Sequence, residues 1–208
     1  MDKPTFIAPD WETVEKAQGE NLPHWQCEQA IYHVSFRLAD SVPERRRHQW
    51  LAQRRNIFHN IAGQDREPTE DELHRLQNLY SERIEAYLDA GHGECLLACP
   101  ETSSVVADAL EFFNGTRYRL HVYCIMPNHV HVLVEASPGY DMRVVVNGWT
   151  SFTASAVNRH LARKGRLWQS EPYDHIVRSE KEYRFQLEYV WNNPGKMARR
   201  FLRKRFDQ

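Results

Sequence analysis

The stretch Tyr123–Glu135, YCIMPNHVHVLVE, constrains the fold more than any other. Apolar residues on both sides of Pro127-Asn128 leave only two residues for the connection, and a two-residue connection between period-two segments makes an antiparallel hairpin. Strands are expected over Tyr118–Met126 and His129–Ala136. Alternation then sends Val130, Val132 and Val134 to one face of the second strand and His129, His131, Leu133 and Glu135 to the other. Two imidazoles two residues apart project from one face about 7 Å apart along the backbone, a spacing from which both rings can reach one cation. H-x-H alone is a weak signal, and half-exposed strand histidines explain it better.

Other elements follow from periodicity. In AIYHVSFRL, residues Ala30, Tyr32, Val34, Phe36 and Leu38 alternate with Ile31, His33, Ser35 and Arg37, which predicts an earlier strand with one strongly apolar face. Residues 43–61 have broadly helical spacing. Thr69 and Glu72 form a T-x-x-E capping box that opens an amphipathic helix running to Leu88. Pro100 introduces a shorter helix that stops at Asn114-Gly115. A further helix is expected over Met142–Leu161, then a basic loop and a short strand around His175–Val177. Ser179 and Glu182 form an S-x-x-E box that opens the last helix, which Pro194-Gly195 ends.

With 208 residues the chain suits one domain with embellishments. The expected divisions are an N-terminal arm at 1–25, a helical insertion at 43–113 and a basic tail at 195–208. Neither a secretory leader nor an apolar run near the roughly 18 residues of a membrane span is visible, which predicts a cytoplasmic protein with no membrane partner. The four cysteines include no C-x-x-C pair. Cys95, Cys99 and His92 have the residue types of a metal site, but free thiols explain the cysteines better. From Arg143 onward 14 Lys/Arg stand against 6 Asp/Glu, whereas 13 stand against 22 before it. Such a basic end fits a polyanion-binding face as readily as a solvated surface.

In the last helix Tyr189 and Asn193 are four apart, hence neighbours on one face, with Phe185 one turn earlier. An amide oxygen is a reasonable ligand for Mg or Mn. A tyrosine beside such an ion can act as a nucleophile toward a phosphodiester, because the cation offsets developing charge. Taken alone, Tyr189 reads better as a core aromatic and Asn193 as a helix C-cap.

Together the segments FRLADSVP (36–43), GHGECLLACPE (91–101), MPNHVHVLVE (126–135), LWQSEPYDHIVR (167–178) and EYVWNNP (188–194) resemble the REP-associated tyrosine transposases. These are a branch of the single-tyrosine HUH nucleases related to the IS200/IS605 transposases. The resemblance implies an α+β fold: a ferredoxin-like HUH core with a central antiparallel sheet, helices on one face and a helical insertion after the first strand. It implies His129 and His131 as the metal-binding HUH pair, Asn193 as the third metal ligand and Tyr189 as the nucleophile, with Mg2+ or Mn2+ as cofactor. The implied activity is cleavage and transfer of single-stranded DNA near palindromic hairpins, through a 5′-phosphotyrosine and a free 3′-OH. A self-contained monomer is expected, with a dimer as the alternative. The chain departs from many relatives after Pro194, where Gly195-Lys196-Met197-Ala198 and a short basic tail follow.

Arg163, Lys164, Arg166 and Arg178 beside Trp168 and Tyr173 have the composition of a single-strand contact surface, with His175 in a supporting role. A domesticated, non-catalytic hairpin-binding protein is the alternative function. A histidine-triad nucleotide hydrolase is excluded by Leu133, which stands where that motif needs its nucleophilic histidine.

Overall fold

A computed structural model describes residues 6–18, 23–46, 48–50, 52–53, 84–193 and 202–205. The main body is a five-stranded antiparallel sheet built from β3 (Ile31–Arg37), β4 (Tyr118–Ile125), β5 (His129–Ala136), β6 (Tyr173–Ile176) and β7 (Leu202–Arg205), in the order β6-β3-β5-β4-β7. Its helices are α1 (Pro100–Glu111), α2 (Met142–His160) and α3 (Glu180–Asn192). From β3 to β6 the chain runs βαββαβ with strand order β6-β3-β5-β4, which is the ferredoxin-like arrangement.

The α+β core expected from sequence is therefore present, and its two crossover helices share one face. Tyr32, Val34 and Phe36 of β3 and the three valines of β5 bury against α1 and α2 in one continuous apolar layer. The opposite face carries Ile31, Val122, Cys124 and Leu133, which pack under Tyr183, Leu187 and Val190 of α3. Thus α3 lies alone among the three helices on the face that holds the polar residues of β3 and β5.

Strand β4 serves both layers through a register irregularity between Leu120 and Val122. Tyr118 and Leu120 face α1 and α2, but beyond the bulge Tyr123 and Ile125 do so, while Val122 and Cys124 turn toward α3. An extra residue inverts the alternation of a strand. His121, the residue displaced there, is buried, and its Nδ1 lies 2.8 Å from the Tyr183 hydroxyl.

The expected helix boundaries are closely met. Pro100 occupies the first turn of α1, where a missing N–H costs nothing, and the chain leaves at Gly115 with φ of 81°. Asp141 caps α2 by accepting from the Arg143 N–H, and Ser179 caps α3 by accepting from the Glu182 N–H at 3.2 Å. Thr69 and Glu72 lie outside the described residues, but residues 84–89 of that amphipathic segment are helical, with Ile84 and Leu88 buried.

Both chain ends hold more structure than their composition announces. Within the N-terminal arm β1 (Glu15–Gln18) pairs antiparallel with β2 (Pro23–Gln26). In the basic tail β7 pairs along β4, satisfying backbone groups that would otherwise form an open edge. Cys27 and Cys124 are buried, Cys95 and Cys99 are half-buried, and none of the four is in a disulfide.

Candidate active site

Cross-strand register builds the site. Arg37 of β3 pairs with His129 and Ser35 with His131, so His33 lies diagonally beside His131 on the same face. The His33 and His131 rings are stacked with centroids 5.3 Å apart, and His33 Nε2 lies 3.2 Å from His131 Nδ1. His129 and His131 meet edge to face at 4.8 Å. Both are completely buried.

The turn that sequence periodicity predicts is closed by the Met126 N–H donating to the His129 carbonyl at 2.8 Å. Asn128 within it is wholly buried, because residues 84–92 lie over the turn. Its amide donates to the carbonyls of Leu88 at 3.2 Å and His92 at 2.9 Å, while its Oδ1 lies 2.7 Å from His129 Nδ1. One asparagine thus anchors the helical segment and orients an imidazole.

That segment contributes Glu85. Its carboxylate lies 3.1 Å from His131 Nε2 and accepts a hydrogen bond from the Tyr189 hydroxyl at 3.1 Å. Ligand atoms of Glu85, His129 and His131 all fall within 4.8 Å of one another, and Asp89 reaches within 4.0 Å of His129 Nε2. Neither imidazole Nε2 has a completed hydrogen bond, although both are buried. Their Nδ1 atoms are already engaged, by Asn128 and His33; the Asn128 oxygen can only accept, so His129 carries its proton on Nδ1 and turns an Nε2 lone pair to the Glu85 side, and His131 does the same when His33 Nε2 accepts. Two such nitrogens and one carboxylate fit a divalent cation by number and chemistry.

The electrostatics agree. Burial, then the neighbouring His131, hold His129 and His33 down at about 3, so both are neutral and able to donate a lone pair near pH 7. Burial pushes the Glu85 carboxyl up, but its close contact with His131 and the adjoining histidines more than offset this and bring it to about 2. For Tyr189 burial, then the charges of Glu85 and Asp89, drive the phenol well above its ordinary value. A phenol so placed is a poor nucleophile until positive charge enters the site.

Tyr189 itself comes from α3, with its ring 5.6 Å from His131 and 6.0 Å from His33. All these groups belong to one chain. Asn193 is the C-cap of α3: its N–H donates to the Tyr189 carbonyl at 2.8 Å, and its own carbonyl accepts from the Cys124 thiol at 2.9 Å. Cys124 is the cross-strand partner of His131, so Asn193 lies at the margin of the cluster, its side-chain nitrogen buried and without a hydrogen-bond partner. His175 pairs across β3 with His33, and its Nε2 lies 2.6 Å from the Glu182 carboxylate.

Candidate strand contacts divide. Lys164, Arg166 and Arg178 are exposed, and Arg163 is half-buried with a hydrogen bond to Asn158 at 3.3 Å. The Arg178 guanidinium lies over the rings of Trp11 and Trp25, at 5.9 Å from each. Tyr173 is half-buried with its ring against His33 at 6.4 Å. Trp168 must be corrected: it is a core residue, packed on Phe36 at 4.8 Å with its indole N–H donating to Thr153, and it offers no face to a base. Glu85, His33 and Asn128 were absent from the sequence-based site.

Residues 103–193 match the family described as "Transposase IS200 like", and they carry the histidine pair, Tyr189 and Asn193. Over these residues the chain is similar to one class of protein, the single-tyrosine transposases. Within it, the resemblance to the REP-associated tyrosine transposases read from the motifs stands: a putative REP-associated tyrosine transposase of Haemophilus influenzae is 30% identical over 84 aligned positions, with 35% of this chain and 47% of that protein covered. An uncharacterized protein of the same organism is 31% identical over 97 residues, 36% of this chain and 54% of its own. The chain spans about half the length of the curated relatives it matches. Among solved structures, a REP-associated tyrosine transposase bound to a REP hairpin aligns over 82% of this chain and 70% of its own, with 12% identity and a TM-score of 0.44. A putative transposase from Deinococcus radiodurans aligns over 78% and 88%, with 15% identity and a TM-score of 0.41. Glu85 and His33 fall outside the matched family segment. Among the described residues no helix is long and apolar enough to cross a membrane.

Proposed function

We propose that the protein is a metal-dependent, tyrosine-mediated nuclease and strand transferase acting on single-stranded DNA. The observation that carries this reading is the Glu85 carboxylate, which meets the hydroxyl of Tyr189 and Nε2 of His131 at 3.1 Å each. The proposed nucleophile and a proposed metal-binding imidazole therefore share one half-buried group within one chain.

In the proposed reaction Tyr189 Oη attacks a backbone phosphorus. The O–P bond to tyrosine forms as the bond from phosphorus to the 3′-oxygen breaks, giving a 5′-phosphotyrosine and a free 3′-OH. Glu85 is placed to receive the phenolic proton or, with His129 and His131, to hold Mg2+ or Mn2+; the amide oxygen of Asn193, one turn beyond Tyr189, is the further donor proposed. A divalent cation there supplies Lewis-acid polarisation of the phosphoryl oxygen and favours the phenolate. His33 and Asn128 hold the two imidazoles in the tautomer that presents Nε2. Lys164, Arg166 and Arg178 supply phosphate contacts, with Tyr173 at the edge of the site and His175 supporting β6. By the likeness to the REP-associated relatives, the substrate carries a palindromic hairpin. A single chain holds the whole constellation, which supports action as a monomer, and a DNA substrate fits the cytoplasm.

Incubating the protein with a labelled single-stranded palindrome and Mn2+ tests this. A denaturant-stable adduct lost in Tyr189→Phe is expected; no adduct from the wild type, or one that persists in Tyr189→Phe, refutes the assignment. His131→Ala separates chemistry from binding, since it should lose the nick while retaining most of the hairpin affinity.

A further inference from the structure

The apolar residues of α3 are almost all covered. Tyr183 is 3% exposed, Leu187 7% and Val190 fully buried, yet Phe185 is 65% exposed. It sits one helical turn before Tyr189, and their rings lie nearly parallel, at 17° with centroids 6.2 Å apart. Behind Tyr189 the aromatic contacts continue through His33 at 6.0 Å to Tyr173 at 6.4 Å. A line of rings therefore runs from the β6 edge, past the metal-binding face, to an open phenyl ring on the surface of α3. Lys181, exposed one turn before Phe185, places a cation on the same side of the helix.

Packing among the described residues gives no reason for a phenyl ring at this position, since Phe185 belongs to neither apolar layer of the sheet. Nucleic acid chemistry does. Cleaving a single strand requires its backbone to enter at Tyr189 with unpaired bases on either side, and every base offers a π-face that a flat aromatic ring can hold without regard to sequence.

We propose that Phe185 is a positioning residue, the stacking platform for the base next to the scissile phosphate. Its ring is parallel to that of Tyr189, so a base laid on it holds the adjoining phosphate beside the nucleophile. This rests on the reading of the site as one for single-stranded DNA. Stacking of one base accounts for a loss of about five-fold to a hundred-fold in affinity when the ring is removed.

The test uses the full chain in the Tyr189→Phe background, which binds without cleaving, and a fluorescein-labelled 20-nucleotide oligothymidylate. Phe185→Ala and Phe185→Leu should both weaken binding within that range, while Phe185→Trp restores it. A 2-aminopurine walked along a second strand, whose palindromic hairpin fixes the register, should be quenched at one position with Phe185 and relieved at that position with Phe185→Leu. Equal affinity and unchanged quenching in Phe185→Leu would overturn the proposal even where wild-type protein forms its tyrosyl adduct. Failure of every version to bind the strand, with no adduct from the wild type, removes the substrate reading and this proposal with it.

Discussion

The Tyr189 hydroxyl donates to Glu85 at 3.1 Å, and this carboxylate reaches forward from a helical segment that precedes the matched transposase residues. The proposed nucleophile and its carboxylate partner are 104 positions apart in the chain. Because the same carboxylate also faces His131, replacing it changes two things at once. Glu85→Gln is expected to weaken Mn2+ binding at least ten-fold and to cut adduct formation by a comparable factor. Titration calorimetry with Mn2+ and a denaturing-gel adduct assay measure the two effects; unchanged Mn2+ affinity would place the cation elsewhere.

His33 and Asn128 touch the imidazoles rather than the space between them. Partners of this kind set the tautomer of a ligating histidine, and their loss typically costs about 10- to 100-fold in metal affinity. His33→Phe and Asn128→Ala should each fall in that range, with Asn128→Ala also loosening residues 84–92 through the lost bonds to Leu88 and His92. Hydrogen exchange of those amides distinguishes the two variants, since only the second should speed it.

Trp168 carries a different expectation. It packs edge to face on Phe36 and its N–H is satisfied by Thr153 at 2.9 Å. Trp168→Ala should destabilise the fold by about 3–5 kcal/mol, as large-to-small core changes do. Trp168→Phe, which keeps most of the apolar volume, should leave single-strand affinity within two-fold of wild type. A large affinity loss in a well-folded Trp168→Phe would restore the ring to the binding surface.

These three cases show how far the chain can be read without its structure. The histidine pair, Tyr189 and Asn193 are legible because each pair lies within one element, where spacing alone decides which side chains share a face. Glu85 is not, since Glu82, Glu85 and Asp89 all occur in one amphipathic segment and nothing in their spacing says which reaches the histidines. His33 sits on the polar face that alternation assigns to β3, but its place beside His131 depends on cross-strand register. The bulge at His121 inverts β4 without a glycine or proline to mark it. Trp168 stands among arginines, and composition does not distinguish a core indole from a stacking one.

Acid should unfold the metal-free protein through its own histidines. His33 and His129 are held at about 3 against an ordinary value of 6.5, so between those values the unfolded chain binds more protons than the folded one. Stability therefore falls as pH drops through that window, by at most about 1.4 kcal/mol per pH unit for each group. Glu85, brought down to about 2, acts in the same direction at still lower pH. Denaturant melts in chelator at pH 7 and pH 5 measure this; His33→Gln should flatten the difference, and a wild type equally stable at both values would contradict the neutral buried pair.

His24 should oppose that trend. It lies in β2 with Nδ1 against the Asp174 carboxylate and Nε2 3.2 Å from Glu171, joining the N-terminal hairpin to β6 and to a residue two positions before that strand. The hydrogen bond to Asp174 is the main cause that raises it above 6.5, ahead of the burial that lowers it and the further pull of Glu171. A raised folded value means that the folded chain holds its proton longer than the unfolded one. This contribution is fully present below 6.5 and disappears as pH rises through the folded value. His24→Gln should consequently be less stable than wild type at pH 6, with the two converging by pH 9. Parallel melting curves for the two proteins across that range would show that the imidazolium does not hold the hairpin.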